Sequence, residues 1–269
     1  MLLVVVLAIV QGIAEFLPIS SSLHLNFFSS IINHGYSDVE ISSFCILLNL
    51  GTLLALCWHY RQDVWQIMCG FFDFLFFKKT ENREYFLSIA IANIPTIVLF
   101  GYVEIACGGQ NFSNIVMLSA MIIFSIIMFV CDKIGKTDLN EMPYRKEWIL
   151  VGIAQLFSMI PGVSRLGSNL CMFRILGFDR MASFKYSMIL SIPPVLGATF
   201  LKTVKMVFCQ NNISSELLNF SCISIGILVS FVCGSLALRL VERFLQRFTL
   251  SPFVIYRILF ALFLVWRGL

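Results

Sequence analysis

Six apolar runs of membrane-crossing length decide what this chain can become: residues 41–60, 85–107, 115–131, 184–201, 221–238 and 251–266. Lipid offers no hydrogen bonds to a backbone, so runs of this kind must satisfy their own N–H and C=O groups as helices. The remainder agrees. The 269 residues are 59% hydrophobic and 13% charged, with 27 phenylalanines and a mean hydropathy of +0.89. Soluble domains carry about 25% charged residues, and one anchor on a globular head would not dilute the whole chain so far. The reading is an all-α polytopic membrane protein. The net charge is +4 and the basic residues flank the apolar runs, which leaves no basic patch for nucleic acid. The nine cysteines form no Cys-x-x-Cys pair and read as small core residues. The N-terminus lacks a basic n-region and a small-residue cleavage site, so no removable signal peptide is expected.

Two further apolar stretches are interrupted. Residues 1–32 are broken by Pro18 and Ser20–Ser22, and residues 148–176 by Pro161-Gly162. Proline removes a backbone donor and serine satisfies freed carbonyls, so each stretch is expected to enter, turn at depth and return to its own side. Their openings match: Gly12-Ile-Ala-Glu15 and Gly152-Ile-Ala-Gln155. Three crossings follow each. The fold expected is therefore six transmembrane helices plus two re-entrant helix-loop-helix segments in an inverted-topology repeat. It forms one integral membrane domain over 1–269, with halves 1–131 and 148–269 joined by a cytoplasmic loop at 132–147.

Charge supplies the orientation. With loops 61–84, 132–147 and 239–248 inside, loops 33–40, 108–114 and 202–220 fall outside. Only Lys202, Lys205 and Arg267 are then basic residues on the outer side, with Arg165 and Arg257 at membrane depth. The aromatic piece Phe71–Phe77 is expected in the interface. The two breaks enter from opposite faces and meet near the midplane.

The breaks carry the chemistry. Gln11 and Glu15, four apart, share a helix face; Glu15 suits a general base, and the pair suits a hard cation bound through oxygen. Ser20, Ser21 and Ser22 follow at the tip, and His24 lies within a turn. Hydroxyl, base and imidazole together make a covalent-catalysis constellation. Each group also has a structural reading: a polar packing pair for Gln11 and Glu15, caps for the serines, a hydrogen-bonded core histidine for His24. His34 and His59, at membrane edges, read as structural, hydrogen-bonded histidines. In the second break Arg165 costs about 3 kcal/mol to insert, and its fork suits phosphate. Gly162 and Gly167 flank it and let backbone amides approach an oxyanion. An Arg165–Glu15 ion pair is the structural alternative. Arg257 is a second buried cation, expected to pair structurally with Glu242 or Glu104.

Together these stretches resemble the undecaprenyl-diphosphate phosphatases of the bacitracin-resistance type, integral membrane enzymes of bacterial cell-envelope and peptidoglycan synthesis. Gln11 to His24 is similar to that family's first motif, and Pro161-Gly-Val-Ser-Arg165 through Asn169 to its second. Leu50–Ala55, Ile192-Pro193 with Leu196–Thr199, and Pro252-Phe253 with Ile255–Arg257 look like further family segments. The chain departs at Leu23, Leu166 and Asn169, where the family has glycine, serine and threonine. The resemblance implies hydrolysis of a C55 polyprenyl diphosphate to the monophosphate carrier, in a pocket open to the outer face of the bacterial cytoplasmic (inner) membrane. It implies Glu15 with Gln11 as base or metal site, Ser21 as nucleophile (with water as the alternative) and His24 as acid/base. Arg165 and Ser164 would hold the diphosphate, aided by Ser20, Ser22, Gly162, Gly167 and Asn169. It implies a divalent cation, Mg or Ca, as cofactor. The partners expected are the lipid substrate and membrane lipids, with a homodimer as one option for the assembly. An inverted-repeat transporter or lipid flippase that binds the headgroup without hydrolysis is the competing class.

Overall fold

A computed structural model describes residues 1–32, 35–106, 112–135, 139, 141–209 and 216–268. His34 and Lys136, parts of the three loops expected outside, and the side chains of Glu104, Lys202 and Lys205 lie outside the described residues. The described residues form helices and no strand. In order these are α1 (Leu2–Ala14), α2 (Ser21–Ile31), α3 (Asp38–His59), α4 (Arg61–Leu75), α5 (Glu81–Ala106), α6 (Asn114–Ile134) and α7 (Arg145–Gln155). After them come α8 (Arg165–Ile175), α9 (Arg180–Cys209), α10 (Phe220–Leu245) and α11 (Ser251–Trp266). Single 3-10 turns occur at Leu156–Met159 and Glu216–Leu218.

Five of these, over Asp38–His59, Glu81–Val103, Asn114–Ile134, Arg180–Leu201 and Phe220–Leu245, are long and apolar enough to cross a membrane. The sixth expected crossing, α11, is shorter, at 16 residues. The prolines at 95, 193 and 194 do not end α5 or α9, which run through them. The aromatic piece Phe71–Phe77 starts within a longer helix: α4 spans 15 residues, ends at Leu75 and packs on α5. Gly70 makes that approach possible, because a Cβ there would strike the Asn82 carbonyl.

The interrupted stretches are helical hairpins. With 13 residues, α1 reaches about 20 Å, short of a hydrocarbon core of roughly 30 Å. It stops at Glu15 and α2 begins at Ser21, packed back against it. In the second hairpin α7 and α8 are also 11 residues each, and they pack on each other in the same way.

The packing follows the repeat. Helix α1 lies on α10 as α7 lies on α5, α3 meets α9, and α6 meets α11. The matched glycines explain the first two contacts. A Cβ on Gly12 would come within 2.7 Å of Cys233 Cβ and 2.8 Å of the Ser230 carbonyl on α10. On Gly152 it would collide with the backbone of Ala92 on α5. One buried apolar cluster, with Trp148, Phe173 and Phe184 fully enclosed, draws residues from both halves. At the basic end of the bundle Asp132 fastens the second hairpin. It accepts from Arg180 Nε at 2.8 Å and from the Leu250 N–H at 3.0 Å, and lies 3.4 Å from Arg174 Nε on α8.

Candidate active site

Both hairpin tips are built around a serine with left-handed backbone. Ser20 (φ 72°) precedes α2 and Ser164 (φ 68°) precedes α8. Few non-glycine residues hold this conformation, and it is found where surrounding structure enforces it. A buried arginine does the enforcing. The Arg257 guanidinium, fully enclosed, donates to Ser125 Oγ at 2.7 Å and to the Pro18 and Gly162 carbonyls at 2.8 Å. Longer contacts reach the Met121 carbonyl (3.3 Å) and the Val163 carbonyl (3.4 Å). Five acceptors meet five N–H donors, so the charge is solvated by backbone carbonyls of both tips. This corrects the expected carboxylate partner. Glu242 instead accepts from Tyr60 at 2.7 Å and pairs with His59 at 2.8 Å, so His59 has an acid beside it.

The tips share a cavity of about 870 Å³. At its floor Glu15 Oε2 accepts a hydrogen bond from Ser21 Oγ at 2.7 Å and from Gln11 Nε2 at 3.1 Å. Gln11 Nε2 also donates to Asn49 Oδ1 of α3 at 2.6 Å. Ser20, Ser22, Gly162, Ser164 and Arg165 line the same space. Arg165 has neither a hydrogen bond nor an ion pair among the described residues, and its buried Nε is without a partner. An internal ion pair to Glu15 does not form. The N-termini of α2 and α8 both open on the cavity, each equivalent to roughly half a positive charge. Ser164 caps its own helix, accepting from the Gly167 N–H at 3.2 Å, whereas no side chain caps α2. Ser29, Ser30, Asp38 and Ser42 lead out of the cavity on the side of loop 33–40.

Three expected site residues lie elsewhere. His24 is buried and is not among the residues lining the cavity. Its Nδ1 is 2.9 Å from the Ser20 carbonyl and its Nε2 2.7 Å from the Tyr256 hydroxyl. A carbonyl only accepts, which assigns a hydrogen to Nδ1; in the neutral imidazole Nε2 then accepts from the Tyr256 hydroxyl. Stacked on Phe260 at 4.2 Å, the imidazole ties the first tip to α11 and stands apart from Ser21 and Glu15. Asn169 is fully buried and donates to Gln155 Oε1 at 2.9 Å; Gln155 in turn donates to Asn93 at 3.0 Å and Thr96 at 3.2 Å. That buried amide network takes up the Asn169 nitrogen, leaves its Oδ1 without a partner among the described residues, and keeps the residue off the cavity lining. The Gly167 N–H is spent on Ser164 and the residue does not border the cavity.

Asn49 escaped sequence reasoning. Its only signal was an amide within an apolar crossing, which is also what a helix-to-helix hydrogen bond looks like. For a cation, Glu15, Gln11 and Asn49 offer oxygen atoms and a single carboxylate. No group of three or more His, Cys, Asp or Glu suited to a metal occurs among the described residues.

Comparison with known proteins fits this geometry. A family model described as bacitracin resistance protein BacA matches residues 4–263. An undecaprenyl-diphosphatase of Nocardioides sp. is 32% identical over 261 residues, covering 94% of this chain and 91% of the relative. One from Corynebacterium glutamicum is 33% identical over 258 residues, covering 94% and 86%. The match runs through both hairpin tips and the arginine that joins them, and the chain belongs to the bacitracin resistance protein BacA family of multi-pass membrane proteins.

Proposed function

We propose that this chain is a membrane phosphatase that hydrolyses undecaprenyl diphosphate to undecaprenyl phosphate and inorganic phosphate. It would thereby return the lipid carrier to cell-wall synthesis and confer bacitracin resistance. The carrying observation is the 2.7 Å hydrogen bond from Ser21 Oγ to Glu15, set in one cavity with the unpartnered Arg165. Two relatives of nearly full-length overlap bear the name of that activity.

Phosphoryl transfer needs charge neutralisation and an in-line nucleophile more than elaborate chemistry. Arg165 and the uncapped N–H groups of α2 neutralise the terminal phosphate. Glu15 takes the Ser21 proton as Ser21 Oγ attacks the terminal phosphorus. The bond from that phosphorus to the bridging oxygen breaks, and undecaprenyl phosphate departs with the proton from Glu15. The freed carboxylate then activates a water that hydrolyses the phosphoserine. A divalent cation, Mg or Ca, suits Glu15 and Gln11, because one carboxylate with amide oxygens leaves places for substrate phosphate oxygens and water. When bound it neutralises phosphate charge. The serine-rich exit beside loop 33–40 and the distribution of basic residues support a site open to the outer face of the cytoplasmic membrane.

Purified protein given undecaprenyl diphosphate in detergent is expected to release phosphate. Ser21→Ala, Glu15→Ala and Arg165→Ala should each lower the rate by about 100-fold or more. Unchanged release in all three would overturn the site. Mass spectrometry of acid-quenched protein separates the nucleophiles: phosphate on Ser21 supports the covalent route, and its absence assigns the attack to water.

A further inference from the structure

Two hydroxyls of α9, Ser187 and Thr199, are buried without a hydrogen-bond partner among the described residues, and of the two Thr199 alone borders the cavity. Its side chain is 3% exposed. A threonine in an apolar helix ordinarily returns its hydroxyl to a carbonyl one turn earlier. Thr203 on the next turn does so, donating to the Thr199 carbonyl at 2.7 Å, and Ser191 donates to the Met188 carbonyl at 2.7 Å. An unmet buried donor is unfavourable unless a ligand satisfies it.

Its place along α9 says which part of a ligand it meets. Val195, four residues earlier on the same face, borders both the main cavity and a small crevice lined by Glu15 and Arg165. Thr199 is therefore about 6 Å further along the helix, towards the end that the charge distribution places outside. We infer that Thr199 donates its hydroxyl to the lipid-proximal phosphate of the diphosphate, while Arg165 and Ser21 engage the terminal one. This rests on the phosphatase reading above and adds a substrate-contact residue, on a third element, that fixes which phosphate is cleaved. A contact of this kind survives cleavage, because undecaprenyl phosphate keeps the lipid-proximal phosphate.

The test compares Thr199→Val, which keeps the shape and loses the hydroxyl, with Thr199→Ser, which keeps the hydroxyl. In Thr199→Val the KM for undecaprenyl diphosphate and the inhibition constant for undecaprenyl phosphate should rise together by about tenfold, the size of one hydrogen bond to a charged group. Inhibition by inorganic phosphate should not move, and Thr199→Ser should restore wild-type values. Should Thr199→Val fail to fold, Thr199→Ala takes its place against the same serine control. A normal product inhibition constant in the hydroxyl-free variant, or a loss confined to kcat, would overturn the assignment. Absence of phosphate release from the wild type would instead overturn the phosphatase reading, so the two failures are separable.

Discussion

The first helices of the two hairpins close on nearly the same four residues, Gly-Ile-Ala-Glu and Gly-Ile-Ala-Gln, and only the first puts a carboxylate on the cavity. In the first, Glu15 faces the cavity and accepts from Ser21 and Gln11. In the second the matching residue is Gln155, fully buried, with its amide bonded to Asn93, Thr96 and Asn169. One charge separates them. A carboxylate at this depth needs water or a ligand beside it, whereas an amide is content with other amides. The repeat thus yields one tip with a carboxylate on the cavity and one without, and the second contributes Arg165 from the far side of its break.

Exchanging the two residues is the sharpest way to break this comparison. Glu15→Gln should lower phosphate release by roughly 10²–10⁴-fold with little change in thermal stability, since Gln keeps the shape and loses the base. Gln155→Glu should do the opposite. It removes the donors to Asn93 and Thr96 and leaves their oxygens facing a carboxylate, at about 1–3 kcal/mol, seen as a lower melting temperature with turnover largely kept. If both variants lost activity alone, the second tip would be chemically active too.

Next in size is Arg257→Met, which strips both tips of their common donor. Leaving the Pro18 and Gly162 carbonyls without it should cost about 3 kcal/mol, read as detergent-phase melting, together with loss of phosphate release. Lysine should rescue little, because an ammonium cannot meet five acceptors. The smallest effect is expected at His24. Its role as a tie to Tyr256 predicts a few-fold loss of rate for His24→Gln or Tyr256→Phe, about 1 kcal/mol, with the pH–rate profile unchanged. Loss of one limb of that profile in His24→Gln would return the imidazole to the chemistry.

Much of this was legible in residue order because charge and hydroxyls at a break in an apolar run are expensive. That reasoning singled out Glu15, Ser21 and Arg165, and the structure brings them to one cavity. Side-chain direction was not legible. Whether His24 turns to Glu15 or to α11 depends on the left-handed Ser20 and on Tyr256, 232 residues away. Asn169 lies inside the phosphate-type motif, yet Gln155 and Asn93 claim it from other helices. Helix α4 was underestimated because Arg61, Asp63 and Asp73 dilute an aromatic run that α5 nonetheless covers along one face.

The arginine that joins the tips also imposes an order on biogenesis. Arg257 belongs to the last helix described, so it is synthesised after both hairpins. Until then neither loop has the donor that holds its carbonyls. Helix α11 acts as a keystone: the two tips gain their common donor only when it docks between them.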